Sequence, residues 1–313
     1  MKKRIISTFL AAAMAFTLMP TMSIPVNAGA TGAKAIMLGT GGISAPVTSG
    51  STTTYDYVYY GNYSSNDIKW RVLDTSTNTG VSGLFLISDN ALTENTVTFD
   101  SGAADNGQTN PNEWQHSDAQ TWCNTTFFNA AFDAKEKNAI LATTKTDLPT
   151  AIAFNEKITT NYGTSQLIGD NVFFLSAEEA NNPSYFANNA DRLANLGTVD
   201  WWLRSPWVDN ALNAGSVRTD GKISSSEVFF TYAARPAINI SGNFVLFASA
   251  ATDGKADTVG SALSEVSAIT PTEWKLTVKD NSAPRNSFSV TETTLTAGQG
   301  KTAEITYSNA AQA

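Results

Sequence analysis

The hydrophobic pattern in the first half of the chain alternates in the manner of strands. "IKWRVLD" (residues 68–74) alternates apolar and polar residues, which predicts a strand with one buried face. "GLFLISDNAL" (residues 83–92) begins with a short apolar run and predicts a second strand. The turn-rich stretch "TSTNTGVSG" lies between them, so the two strands are predicted to pair antiparallel.

Residues 117–142 have a different pattern, which predicts two short helices. Ser117 or Asp118 can cap the first, because both side chains accept hydrogen bonds from the first helical N–H groups. Asp133 is followed three residues later by Glu136, which is the spacing of a capping box. Aromatic residues between the two caps supply an apolar face.

The next segment returns to strands. "VFFL" predicts a buried strand, and Ser176 with Glu179 predicts a capped helix directly after it. "WWLRSP" (residues 201–206) predicts a strand that ends at its proline, and Asp220-Gly221 predicts a hairpin turn. Helices segregated from an antiparallel sheet indicate an α+β fold for residues 55–245.

Residues 246–313 are predicted to be a separate region. They begin with a linker of small residues, followed by three alternating stretches, "EWKLTVKD", "NSFSVTE" and "KTAEITYS". Alternating strands separated by turn residues are typical of an immunoglobulin-like β-sandwich, which needs about seven strands. The region is therefore predicted to be a linker and an incomplete β-sandwich.

The N-terminus predicts secretion. Three basic residues at positions 2–4 precede an apolar run at 5–18, and a small-residue cleavage pattern follows at 26–28. We interpret residues 1–28 as a signal peptide, since the apolar run is too short to span a bilayer. An uncleaved membrane anchor is the alternative. Residues 29–54 are small and polar and predict a flexible leader, and the protein is expected to be secreted or extracellular, with cell-wall association left open.

Charge excludes two classes of partner. Without residues 1–28 the chain has 17 basic and 28 acidic residues, a formal charge of −11. Nucleic acids and anionic membranes both require a basic face, so neither is expected as a partner. Charged residues are 15% of the chain while Asn, Thr, Ser and Gly are plentiful, which is typical of an extracellular β-rich protein.

Cysteine and histidine limit the chemistry. Cys123 is the one cysteine, so an intrachain disulfide is excluded, and His116 is the one histidine, so a zinc site built on paired histidines is excluded. The Asp-rich loop "DSGAADNG" and the turn "TDGK" contain oxygen ligands without the spacing of a calcium loop. No cofactor or metal is therefore expected, and calcium is left open without a motif to support it.

Several motifs together resemble a known family. In order along the chain they are "KWRVLD", "LFLISDNAL", "SDAQTWCNTTFFNAAFDAKEKNAI", "DNVFFLSAEEA", "WWLRSP" and "ARPAINI". They resemble domain-of-unknown-function family 6273 of secreted and surface proteins of Gram-positive gut bacteria, over roughly residues 57–241. The resemblance implies a C-type-lectin-like fold, similar to that of formylglycine-generating enzymes. It implies no reaction, and formylglycine-generating chemistry needs a cysteine pair that this chain lacks.

The stretch "WWLRSPWVDN" (residues 201–210) is the candidate ligand site. Trp207 follows the strand in a loop beside Asp209 and Asn210, where a ring can stack on a sugar while polar groups bind its hydroxyls. Trp202 and Arg204, on the strand itself, are predicted to support these contacts. The alternative for the strand is a core role, with Arg204 a buried group bonded to carbonyls or a carboxylate.

The predicted function is non-catalytic recognition of a glycan or a surface protein, with no catalytic residue assigned. A serine hydrolase of the common type is excluded because no G-x-S-x-G motif is present. One alternative is a structural spacer of a cell-wall protein, which predicts that "WWLRSP" is buried and that no pocket lies beside Trp207. The other is a glycan-active enzyme, which predicts two carboxylates facing each other in a cleft.

Overall fold

The structure is a computed structural model of the chain. It describes residues 21–25, 34–38, 40–93, 96–102, 107–155, 158–195, 198–251, 254, 273–279, 289–290, 294–297 and 302–308. Most of the predicted signal peptide lies outside the described residues, as does most of the predicted linker and C-terminal region. The predicted signal peptide and secretion therefore stay predictions.

Strands account for most of the regular structure. In chain order they are β1 (Thr21–Pro25), β2 (Lys34–Leu38), β3 (Val47–Ser49), β4 (Thr52–Thr54), β5 (Tyr57–Tyr63), β6 (Asn66–Ser76), β7 (Ser82–Ser88), β8 (Val97–Thr98), β9 (Thr143–Asp147), β10 (Thr150–Asn155), β11 (Ile158–Tyr162), β12 (Ser165–Asp170), β13 (Val172–Phe173), β14 (Trp201–Pro206), β15 (Asn213–Val217), β16 (Ile223–Glu227), β17 (Thr231–Tyr232), β18 (Ala237–Ser241), β19 (Val245–Ala250), β20 (Glu273–Val278), β21 (Ser289–Val290), β22 (Thr294–Ala297) and β23 (Thr302–Ser308).

The helices are short. Helix α1 runs without a break through an α-helical turn (Asp118–Thr121), a π-helical segment (Trp122–Phe127) and a second α-helical turn (Phe128–Ala131). Helices α2 (Ala134–Ala139) and α3 (Ala177–Ala180) follow, and short 3₁₀ helices lie at Asn189–Arg192 and Gly242–Phe244.

The predicted caps begin these helices. The Ser117 side chain accepts a hydrogen bond from the N–H of Gln120, and Asp133 forms a complete capping box with Glu136. Ser176 forms another with Glu179. All three cap predictions are thus confirmed, because each side chain satisfies backbone N–H groups that the first turn leaves unpaired.

One large mixed sheet organises the fold. Its strand order is β13-β18-β7-β6-β5-β20-β19, and β2 and β22 continue it beyond β19. Strand β20 runs parallel to β5, while the other neighbours in this sheet are antiparallel. The predicted antiparallel pair β6–β7 is confirmed as part of it.

Smaller sheets surround the central one. Strands β14, β15 and β16 form a three-stranded antiparallel sheet, in which Asp220-Gly221 makes the predicted hairpin turn between β15 and β16. The remaining pairings are β1-β23-β21, β10-β11, β12-β9, β17-β8 and β3-β4. Within the described residues, no helix has the length and apolar character needed to cross a membrane.

The predicted α+β, C-type-lectin-like fold followed by a partial immunoglobulin-like sandwich is wrong. The structure is mostly β, with 45% strand and 15% helix, and helices this sparse cannot form a layer against a sheet. Among the described residues α1 alone reaches 14 residues, because a cap starts a helix but does not extend it. The large sheet is mixed rather than antiparallel, and β20 adds to its interior between β5 and β19 instead of contributing to a separate sandwich.

Candidate functional site

Strand β14 is buried on both faces. The side chains of Trp201, Trp202, Leu203 and Arg204 are all 0% exposed. Trp201 and Trp202 each satisfy their indole N–H with a backbone carbonyl, of Arg192 and Val97 respectively. The alternation of the strand therefore does not separate a core face from a surface face.

Arg204 is held by two buried carboxylates. Its Nη2 lies 2.5 Å from Oδ2 of Asp147, at the end of β9, and its Nη1 lies 2.8 Å from Oε2 of Glu179, on α3. Lys145 binds the other oxygen of each carboxylate, at 2.5 Å from Asp147 and 2.8 Å from Glu179. Two cations and two anions thus compensate each other inside the protein.

The pKa of Glu179 shows how strong this compensation is. Burial by itself raises the pKa of this carboxyl, but the charges and hydrogen bonds of Arg204 and Lys145 outweigh burial and lower it to about 2. Burial likewise works to lower the pKa of Arg204, and the two carboxylates raise it above its ordinary value instead. Lys145, Glu179 and Arg204 are therefore ionised at neutral pH.

The loop after β14 is closed by a single asparagine. Asn112 is 3% exposed, and its side-chain amide nitrogen lies 3.1 Å from the carbonyl oxygen of Trp207, 3.1 Å from that of Asn210 and 2.8 Å from that of Asn213. The N–H of Trp207 also donates to the carbonyl of Asn213. These bonds fix residues 207–213 as a compact loop.

A cleft of about 500 Å³ lies beside this loop. Three segments form its walls: residues 110–115, which precede α1; residues 164–166, where β12 begins; and residues 206–208 with Ala211, in the loop after β14. A cleft of this volume is in the range of small-molecule binding sites.

Hydrogen bonds tie the three walls to one another. Asn112 joins the first wall to the loop, as described above. Gln115 joins the first wall to the second, because its side-chain amide donates to the carbonyl of Gln166. The second and third walls are joined by backbone bonds from Gly163 to Pro206 and from Val208 to Asn161. The cleft is therefore preformed by the fold.

Aromatic and amide groups dominate the lining. Trp114 and Trp207 contribute rings, and both have a buried indole N–H with no partner among the described residues. Glu113 contributes a carboxylate that accepts hydrogen bonds from the backbone N–H of Thr109 and the side chain of Asn110. The rest of the lining consists of amide, hydroxyl and small apolar side chains: Asn110, Asn112, Gln115, Thr164, Ser165, Gln166, Pro206, Val208 and Ala211.

The structure separates the five predicted ligand residues into two groups. Trp207 lines the cleft, and Asp209 and Asn210 are exposed on the adjacent loop. The Asn210 side chain also stabilises that loop, since its Oδ1 accepts from the N–H of Leu212 and its Nδ2 donates to Oδ1 of Asn213. Trp202 and Arg204 are buried, which leaves them no surface for direct contact with a ligand.

Trp202 reaches the cleft through other rings. Its ring centroid lies 5.6 Å from that of Phe99, and Phe99 lies 6.3 Å from Trp114 in the cleft wall. Arg204 reaches the opposite wall through Asp147, whose Oδ2 also accepts from the hydroxyl of Ser165. Both side chains are placed to support the cleft from behind.

Sequence reasoning missed the other two walls as part of the site. Neither "NPNEWQ" (residues 110–115) nor "GTSQ" (residues 163–166) is predicted from the sequence to belong to the site. No short-range pattern joins these segments to residues 206–211, since their contact depends on tertiary pairing. The repeated amide residues beside Trp114 are the one local signal that pointed there.

The remaining candidate chemistry lies away from this cleft. His116 is exposed, and its backbone N–H donates to the side chain of Gln120. Cys123 is buried, and burial raises the pKa of its thiol well above the ordinary value. Over the part of the chain that the structure describes, no three His, Cys, Asp or Glu side chains are grouped as metal ligands would be. Part of the loop "DSGAADNG" lies outside the described residues.

Comparison with known proteins places the chain in a family. Searches of curated proteins and of solved structures found no match. A family model matches residues 82–242, from β7 to just past β18, which is half of the chain and contains all three walls of the cleft. The chain belongs to the family described as Domain of unknown function (DUF6273).

Proposed function

We propose that this chain is a secreted or cell-surface recognition module that binds a glycan, without catalysis, in the cleft beside Trp207. One observation carries the proposal: a preformed concave site presents the partly exposed ring of Trp207 beside amides and hydroxyls. Aromatic rings offer a flat apolar surface to the face of a sugar, and amides both donate to and accept from its hydroxyls.

The cleft favours recognition over the spacer alternative. A spacer predicts that "WWLRSP" is buried, which agrees with the structure for residues 201–205, but it also predicts that no pocket lies beside Trp207. A preformed cleft at that position supports a ligand-binding role.

The lining also supports a non-catalytic role. The enzyme alternative requires a pair of carboxylates across a cleft, so that one acts as acid and the other as base or nucleophile. Among the described lining residues, Glu113 supplies the one carboxylate, and both of its oxygens accept hydrogen bonds from its own segment.

Binding of the full chain to a glycan array tests the proposal. We expect Trp207→Ala to weaken binding by about tenfold or more, as truncation of an aromatic anchor does at other interfaces. Phe230→Ala is the matched control, because Phe230 is an aromatic that is 47% exposed and does not line the cleft. Equal binding by the two variants would contradict the proposal, once circular dichroism shows both to be folded.

A further inference from the structure

The charges around the cleft restrict what kind of glycan it can bind. Glu113 is the one charged side chain among the described lining residues. Sites that bind phosphate, sulfate or carboxylate groups usually present arginine or lysine forks or converging backbone N–H groups. The lining of this cleft has no such cation.

The cations behind the wall do not change this. Arg204 and Lys145 lie behind Ser165, but both are paired with Asp147 and Glu179. Two positive and two negative charges leave no net positive field from this cluster. An acidic ligand would therefore gain nothing from these two side chains.

Further carboxylates lie close to the cleft. Asp209 is exposed two residues after Trp207, and Asp170 accepts a hydrogen bond from the lining residue Gln115, at 3.1 Å. These two carboxylates add to the negative charge of Glu113 on this side of the molecule. Like charges repel an anionic ligand, the more so in a partly enclosed site with a lower dielectric than water.

The uncharged groups of the lining match a neutral sugar. The amide of Gln166 and the hydroxyl of Thr164, both exposed, can act as donors or acceptors toward hydroxyl and acetamido groups.

We infer that the cleft selects uncharged saccharides and rejects sialylated, sulfated and phosphate-bearing glycans. This inference rests on the proposed glycan-binding function and names its substrate class. It assigns stacking to Trp207, polar contacts to the amides, and discrimination against anions to Glu113.

The test uses the full chain on an array where each neutral oligosaccharide is printed beside its acidic derivatives. The probes include N-acetyllactosamine with its sialylated and sulfated forms, and muropeptide-free wall glycan strands beside wall teichoic acid. We expect binding to neutral glycans that does not change with NaCl concentration and is lost in Trp207→Ala. Acidic derivatives modified where the sugar enters the cleft should bind more weakly by about fivefold or more, the factor for two like charges about 4 Å apart in water.

A charge variant tests the role of Glu113 directly. Glu113→Gln removes the charge and keeps the shape of the side chain. The ratio of the affinities for each neutral glycan and its acidic derivative should therefore decrease by about fivefold. Glu178→Gln is the control, because this exposed glutamate on α3 is not part of the lining. An unchanged difference in Glu113→Gln would contradict the assigned role.

The outcomes separate the two proposals. Preferred binding of acidic glycans that weakens with added NaCl would overturn the inference and leave glycan recognition standing. Neutral-glycan binding that Trp207→Ala leaves unchanged would place the site elsewhere and overturn the inference. Absence of binding to every glycan by folded protein would overturn both proposals together.

Discussion

At the scale of single residues, the buried bonds of Arg204 account for the presence of a guanidinium in the aromatic-rich strand β14. It is bonded to the carbonyl of Phe174 as well as to Asp147 and Glu179, so it joins β14 to β9, to the residue that follows β13 and to α3. A buried ion pair of this kind adds little over a packed apolar pair, but removal of one partner leaves an uncompensated charge. The cluster therefore makes these positions intolerant of single changes.

We expect Glu179→Gln to destabilise the protein by about 3 to 5 kcal/mol, because Arg204 and Lys145 would both lose a buried counterion. Urea unfolding measures the change. Glu178→Gln on the same helix is the control and should alter the free energy of unfolding by less than about 0.5 kcal/mol, since that side chain is exposed. Equal effects of the two variants would show that the buried pairing does not stabilise the fold.

The same glutamate predicts a dependence on pH. Its pKa is lowered on folding from an ordinary value of 4.5 to about 2, so its contribution to stability is complete above about pH 4.5 and is lost as the pH falls toward 2. We expect the free energy of unfolding to fall across this window, and to fall less steeply in Glu179→Gln. Parallel curves for the two proteins between pH 4.5 and 2 would contradict this assignment.

At the scale of elements, the loop at residues 207–213 depends on a side chain from a distant segment. We expect Asn112→Ala to destabilise the protein by about 1–3 kcal/mol, because three carbonyls of the loop lose a bond to its amide, although those of Asn210 and Asn213 keep a backbone donor. Hydrogen exchange should become faster in the loop, and glycan affinity should fall. Asn110→Ala, in the same wall, serves as control for stability and exchange, and equal exchange in both variants would argue against this role.

The hairpin between β15 and β16 offers a second test at this scale. A Cβ added at Gly221 would lie 1.9 Å from the carbonyl oxygen of Asn189, whereas one added at Gly169 meets nothing within 4 Å, and the two φ angles are +77° and +76°. Both alanine variants pay about 1–2 kcal/mol for the left-handed backbone. Gly221→Ala should cost at least about 1–3 kcal/mol more, by urea unfolding, because of the clash. Equal costs would mean that the contact relaxes freely.

Local signals predicted the elements better than their assembly. Caps such as Asp133, the turn at Gly221 and the strand at residues 201–206 follow from side-chain chemistry within a few positions, and the structure confirms each of them. The alternative of a core strand with a buried Arg204 agrees with the structure, but its partners Asp147 and Glu179 lie far along the chain and could not be named from the sequence. Trp207 could be predicted as a ligand residue from the residues next to it in the sequence, whereas the other two walls of the cleft could not be predicted in this way.

At the scale of the whole molecule, β20 is a structural part of the central sheet. Trp274 is 2% exposed, and its indole N–H donates to Oδ2 of Asp56. We expect Trp274→Ala to lower the free energy of unfolding by about 3–5 kcal/mol, and Thr277→Ala, half-buried on the same strand, to change it far less. One transition, shifted by Trp274→Ala, is expected in thermal unfolding. A separate unfolding transition of residues 55–245 whose midpoint is the same in Trp274→Ala and in the unmodified protein would contradict the expectation.

The error in the predicted fold class arose at this scale as well. "EWKLTVKD" was correctly predicted to contain a strand, but its partners are β19, close in sequence, and β5, far from it. An alternating pattern shows that a strand has a buried face and does not show which strand lies beside it. The parallel pairing of β5 with β20 could therefore not be predicted from the sequence pattern, and neither could the mixed sheet that results from it.

The pairing of β5 with β20 also sets an order for assembly. Tyr57 lies opposite Glu273 in this pairing. During translation β5 is therefore synthesised long before its partner strand β20. During that interval the edge of β5 that later pairs with β20 has unpaired backbone N–H and C=O groups. Unpaired strand edges can form hydrogen bonds with strands of other chains. The pairing of β5 with β20 becomes complete only after residue 278 has emerged. Aggregation of the nascent protein is therefore a competitor of its folding, and chains that end before β20 should be the most exposed to it.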